Sequence, residues 1–200
     1  MFRQRTRLEK RRKGKKRRAE KPEAFFGRFI NFPTMIHGIA KISHENVTPL
    51  LQQAVIQALY NLNESKEAYP LSVADHAGTY DGEVTFEVGI ADGASFNYMD
   101  KDTLQKAYNL KPEGEHSVLD FLVIVAYRYL RDGKKISLNF DHYILRFSFY
   151  NREAEASLFH SKGTRRMPLD EFMAIVIRRI TKEIGHMNLK PVKLESLKTL

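Results

Sequence analysis

SVLDFLVIVAYRYLRDG, residues Ser117–Gly133, contains the most apolar stretch of the chain. Ser117 has the chemistry of a helix N-cap, and Gly133 stands where a helix ends in a left-handed residue. Residues 118–127 are apolar nearly all round, and a helix without a polar face is one enclosed by other elements. The stretch therefore predicts a buried helix over Ser117–Leu130. It does not predict a membrane span: Val118–Tyr127 is ten residues with Asp120 inside it, about half the length a bilayer needs.

Upstream, Met35–Ser43 reads as a strand. A helix follows with Thr48 as N-cap and Pro49 at its first position, where a missing N–H is tolerated. Leu50, Leu51, Ala54, Val55, Ala58, Leu59 and Leu62 recur at helical spacing and form its buried stripe. Asn61–Ala68 is polar and turn-like. Val84, Phe86, Val88 and Ile90 alternate with Glu83, Thr85, Glu87 and Gly89, a half-buried strand with an acidic wet face, ended by Asp92-Gly93. Asp102–Asn109 is a short helix.

Downstream, Ile136, Leu138 and Phe140 alternate, as do Tyr143, Leu145, Phe147 and Phe149. After the turn Asn151-Arg152-Glu153 comes a third run, Ala154–His160, so these strands read as an antiparallel meander. A last helix begins near Pro168, with Leu169, Phe172, Met173, Val176, Ile180 and Ile184 on one face. Strands in succession, rather than strict alternation with helices, predict an α+β class: a mostly antiparallel sheet with helices packed on one face. The chain divides into a disordered basic arm (1–22), an aromatic junction (23–33), a single α+β domain (34–187) and a C-terminal tail (188–200).

Charge is distributed unevenly along these segments. Residues 1–22, MFRQRTRLEKRRKGKKRRAEKP, hold twelve Lys or Arg and two Glu, a net +10. The rest of the chain holds 21 basic and 22 acidic residues, a net −1, so the formal +9 is a basic arm on a nearly neutral body. A like-charged run this dense stays solvated and suits a polyanion. Arg3, Arg5, Arg7, Lys10, Arg11, Arg12, Lys13, Lys15, Lys16, Arg17 and Arg18 are the candidate phosphate contacts. Residues 11–18 also fit the loose description of a nuclear localisation signal. Membrane attachment loses ground because no apolar wedge or lipidation motif accompanies the charge. No signal-peptide pattern is present. The chain has no Cys, which excludes disulfides, thiolate metal sites and cysteine nucleophiles.

A second candidate site is His160-Ser161-Lys162-Gly163-Thr164-Arg165-Arg166, just ahead of the last helix. Lys162, Arg165 and Arg166 beside helix N–H groups form a phosphate site on paper, although Asp170 in the first turn opposes it. The Phe25-Phe26-Gly27-Arg28-Phe29-Ile30-Asn31-Phe32 stretch is too apolar for a free linker. It reads as docking on the body and anchoring the arm, with an exposed partner-binding segment as the alternative. Asp75-His76, Asp141-His142 and the Glu83/Glu87 pair are the places where metal or acid–base chemistry could sit. No spacing among them specifies a metal, cofactor or catalytic residue.

The reading that results is a non-enzymatic, nucleic-acid-associated protein, cytoplasmic or of the nucleoid or nucleus and not secreted. Its arm supplies affinity for DNA, RNA or a ribonucleoprotein, and its compact body supplies partner choice. The alternatives are an adaptor that binds a protein through Phe25–Phe32 or the C-terminal tail, its arm meeting an acidic partner or membrane surface, and a metal-dependent enzyme acting on nucleic acid.

Overall fold

The computed structural model describes residues 25–72, 79–110 and 117–200. In chain order the elements are β1 (Gly38–Ser43), α1 (Thr48–Leu62), β2 (Lys66–Ser72), β3 (Thr79–Asp92), β4 (Ser95–Tyr98), α2 (Lys101–Tyr108), β5 (Ser117–Arg131), β6 (Lys134–Ser137), β7 (Asp141–Phe149), β8 (Glu153–Lys162), α3 (Leu169–His186) and β9 (Lys193–Thr199). The strands pair antiparallel in one sheet ordered β2-β3-β5-β7-β8-β1-β9, with β4 on β3 and β6 on β5. The arm, residues 1–22, lies outside the described residues, as does Asp75-His76.

The buried helix expected over Ser117–Leu130 is instead the longest strand. Along β5, Leu119, Phe121, Val123, Val125, Tyr127 and Tyr129 point into the core, while Leu122, Ile124 and Ala126 are half-buried on the other side. Both sides of the strand are apolar, so the alternation that marks a strand is erased and the run reads as a helix without a polar face. What remained to tell them apart was composition: β-branched Val118, Val123, Ile124 and Val125 with three aromatics suit a pleated surface better than a helix. Asp132 and Gly133, with φ of 50° and 72°, make the two-residue turn of a hairpin into β6. Gly133 is therefore a hairpin residue and not a helix cap.

This corrects the expected α+β class with helices packed on one face. Strand makes up 47% of the described residues and helix 26%, and the sheet is curled into a half-barrel with three helices. Helices α1 and α3 pack on each other; α1 touches β3, and α3 touches β1 and β9. Their buried side chains join the inward-facing residues of the sheet in one core. Smaller differences follow from local chemistry. Val47 occupies the N-cap of α1 without a side-chain bond, and Thr48 is its first residue. Leu50 is exposed, whereas Ile56 is buried. Part of the polar stretch Asn61–Ala68 enters β2, an edge strand whose Pro70 can sit there because no ladder bond is needed on the outer side. The C-terminal tail contributes β9, which pairs with β1.

Candidate functional site

The β8–α3 connection, expected as an anion site, is organised around an anion of the protein's own. Asp141, the first residue of β7, is fully buried. Its Oδ1 accepts from the Arg165 N–H at 2.7 Å and lies 3.0 Å from His160 Nε2; its Oδ2 accepts from the Arg166 N–H at 2.9 Å and the Tyr127 hydroxyl at 2.7 Å. A carboxylate offers about four acceptor positions, and all are used. Tyr127 Oη also accepts from the Met167 N–H at 3.3 Å, and the Tyr143 hydroxyl donates to the Met167 carbonyl at 3.3 Å. Gly163, with φ of 114°, passes directly over Asp141 and the Phe140 carbonyl, where any Cβ would collide.

Two consequences follow. The loop N–H groups that a phosphate would need at Arg165 and Arg166 are already committed, and the first turn of α3 adds Asp170 and Glu171 behind a Pro168 N-cap. What remains for an external ligand is side-chain charge. Lys162 and Arg165 are exposed; Arg166 is half-buried, its Nε enclosed without a hydrogen-bond partner among the described residues. Arg166 lines a cleft of about 420 Å³ with Tyr69, Pro70, Leu71, Thr164 and Pro168. The second consequence concerns Asp141-His142. Successive strand residues face opposite ways, so the buried Asp141 takes His160 as its ring partner while His142 lies on the far side.

Electrostatics at this end favour a fixed charge pattern. Burial opposes ionisation of Asp141, but donors from Tyr127, Arg166, His160 and Arg165 outweigh it and hold the carboxyl below the ordinary range. Burial, reinforced by Asp141, drives the Tyr127 and Tyr143 hydroxyls well above theirs. His37 Nδ1 accepts the His160 N–H at 3.0 Å, so its proton sits on Nε2, and its ring stacks on Phe159 at 4.7 Å. Burial, then Arg165 and His160, lower the His37 pKa; burial and Lys162 lower that of His142. With Asp141 saturated and sealed from solvent, this network orients the loop, and the Asp141 carboxylate is not free to take a substrate proton.

The aromatic junction is tied down at the other end of β5. Asp120, fully buried, receives Arg146 through Nε and Nη2, each at 2.7 Å, and the Phe29 N–H at 2.7 Å. Phe32 lies under the Arg146 guanidinium, 3.9 Å from ring centre to Cζ, and Phe29 packs on Phe96 at 4.7 Å. Phe26 is buried beneath the Lys106 ammonium, whereas Phe25 remains about half exposed. Asp120, which breaks the apolar run in the sequence, is thus the residue that holds the junction.

Glu83 and Glu87 share the outer side of β3, opposite Arg128 and Ile124 of β5. Among the described residues no three His, Asp or Glu side chains converge as metal ligands. None of the described helices is long and apolar enough to cross a membrane.

The structure also gathers residues that sequence reasoning missed. Arg128, Arg131, Lys134 and Lys135 are exposed on the β5–β6 hairpin. Beta6 runs through residues 138–140 into β7, whose His142 pairs with Lys162, and Gly163 rests on Phe140. The hairpin and the 162–166 loop are therefore neighbours at one end of the sheet. The signal for the hairpin was Asp132-Gly133, a dipeptide equally at home in a hairpin turn and at a helix end.

No family model matches the chain, and no curated protein sequence matches it. Among solved structures it is similar to the toxic C-terminal tip of CdiA from Pseudomonas aeruginosa, solved in complex with an immune protein. That likeness has 11% identity over 82% of this chain and 84% of the other, with a TM-score of 0.25, and carries no argument about fold or function.

Proposed function

We propose that the protein is a non-enzymatic, nucleic-acid-associated protein that its N-terminal arm tethers to DNA, RNA or a ribonucleoprotein. The observation that carries this reading is the division of charge: a net +10 in residues 1–22 against −1 in all the rest. Lys and Arg that neutralise phosphates release condensed counterions, so the binding is tight at low salt, falls steeply as salt rises and is indifferent to sequence. The body's candidate contacts support the same reading only through exposed side chains such as Lys162 and Arg165, since Asp141 takes the backbone donors of their loop.

The test compares the full chain with a variant lacking residues 1–22, titrated onto a fluorescein-labelled oligonucleotide. With about six phosphates neutralised, log K for the full chain falls with log[salt] at a slope of about −5. Deletion of the arm removes most of this affinity and flattens the slope. Unaltered binding by the shortened chain overturns the reading.

A further inference from the structure

We propose that the body carries a nucleic-acid contact of its own, the β5–β6 hairpin, whose Arg131, Lys134 and Lys135 take phosphate oxygens of the same strand that the arm holds. The inference rests on the nucleic-acid reading above and adds the surface and its position. Arg131 and Lys134 face each other across the two-residue turn on one side of the ribbon, and Lys135, paired with Leu130, projects from the other, so the tip is cationic on both sides. All three cations are exposed. Four of the body's other basic side chains are already matched: Arg178 and Arg179 reach Glu67, Lys190 reaches Glu45 and Lys193 reaches Glu195. On the hairpin the sole ion pair among the described residues is Arg131 to its neighbour Asp132, at 3.9 Å between solvent-exposed groups, a contact worth little in water.

Position strengthens the case. The adjoining loop adds the exposed Lys162 and Arg165, which with Arg128 and the three hairpin cations outnumber the nearby Asp81, Glu83, Asp132, Asp170 and Glu171. The junction that roots the arm is fastened at Asp120, at the other end of β5. From Asp120 to Arg131 the strand covers about 35 Å at roughly 3.3 Å per residue. A ligand that meets the root of the arm and the hairpin together is an extended polyanion rather than a small one. Phosphates repeating along a nucleic acid supply that, and a strand-backed hairpin presents its charges without further ordering.

The experiment uses the full chain with Arg131→Gln, Lys134→Gln and Lys135→Gln together, against a control carrying Lys41→Gln, Lys101→Gln and Lys182→Gln, three exposed lysines away from the hairpin tip. Probes are a fluorescein-labelled 20-base single strand and the corresponding duplex at moderate salt. The hairpin set weakens binding about tenfold and lowers the salt slope by roughly 2–3, as expected for the loss of two or three phosphate contacts; the control loses threefold or less. A conservative set, Arg131→Lys with Lys134→Arg and Lys135→Arg, keeps the parent's affinity. Equal losses from hairpin and control sets, with the parent still bound through its arm, overturn this inference and leave the tethering reading standing. A parent that fails to bind either probe overturns both. Should polyglutamate bind the parent as tightly as the oligonucleotides and lose as much on substitution, the hairpin reads acidic polypeptide and the proposal falls.

Discussion

Asp141 does at the scale of one residue what a bound phosphate would do for a loop: it collects the donors that a sharp reversal leaves unpaired. Asn at this position presents an amide to at least one N–H that needs an acceptor, so Asp141→Asn should destabilise the fold by roughly 3 kcal/mol, read from urea unfolding at neutral pH. Acid should act in the same direction and in two windows. His37 and His142 have folded pKa values below the ordinary 6.5. The stability tied to their neutral forms is therefore complete above about pH 6.5 and is lost as pH falls through the lower folded values. Asp141 likewise titrates below its ordinary 3.8, so its contribution is intact above that value and disappears only in stronger acid. Thermal melts from pH 8 to pH 2 should show both declines. His37→Asn, which keeps an acceptor for the His160 N–H, should weaken the first and leave the second. A first window undiminished in that variant would count against His37. Little of this was legible beforehand. Asp141-His142 stood out as adjacent residues, yet the pleat sends them to opposite sides, and His160 is brought to Asp141 only by the pairing of β7 with β8.

At the scale of elements, the strands whose two sides differ in polarity were readable and those without such contrast were not. Val84, Phe86, Val88 and Ile90 announced β3 because Glu83, Thr85 and Glu87 separate them. The same holds for Tyr143, Leu145, Phe147 and Phe149 in β7, and the stripe of α3 followed its 3.6-residue period. Beta5 failed that test because its outward side is also apolar, and β9 because its single pairing with β1 lies beyond any local pattern. The junction was legible in one respect, its excess of Phe, while Asp120, its anchor, showed only as an interruption of a hydrophobic run. Burial separates its members energetically. Phe26→Ala should cost about 3–4 kcal/mol through lost apolar burial and a cavity, whereas Phe25→Ala should change stability by less than about 0.5 kcal/mol. Urea titrations of the two variants check this; equal effects would mean that the junction is held differently.

For the whole molecule, the net charge is concentrated in one short segment of the chain. Residues 1–22 carry +10, more than the whole net charge of +9, and among the described residues the core begins at Phe26. Deleting the arm should therefore leave the calorimetric midpoint of the body within about 1 °C of the parent while nucleic-acid affinity collapses; a fall of several degrees would show that the arm supports the fold. The place of β1 has a consequence of another kind, in time rather than in space. Gly38 sits between Leu158 of β8 and Thr199 of β9, so an early strand waits for partners made late. At about 5–20 residues per second, translation from β1 to the end of β9 takes roughly 8–30 s. For that interval the nascent chain displays its cationic segment with no finished sheet behind it, beside the ribosome's own RNA.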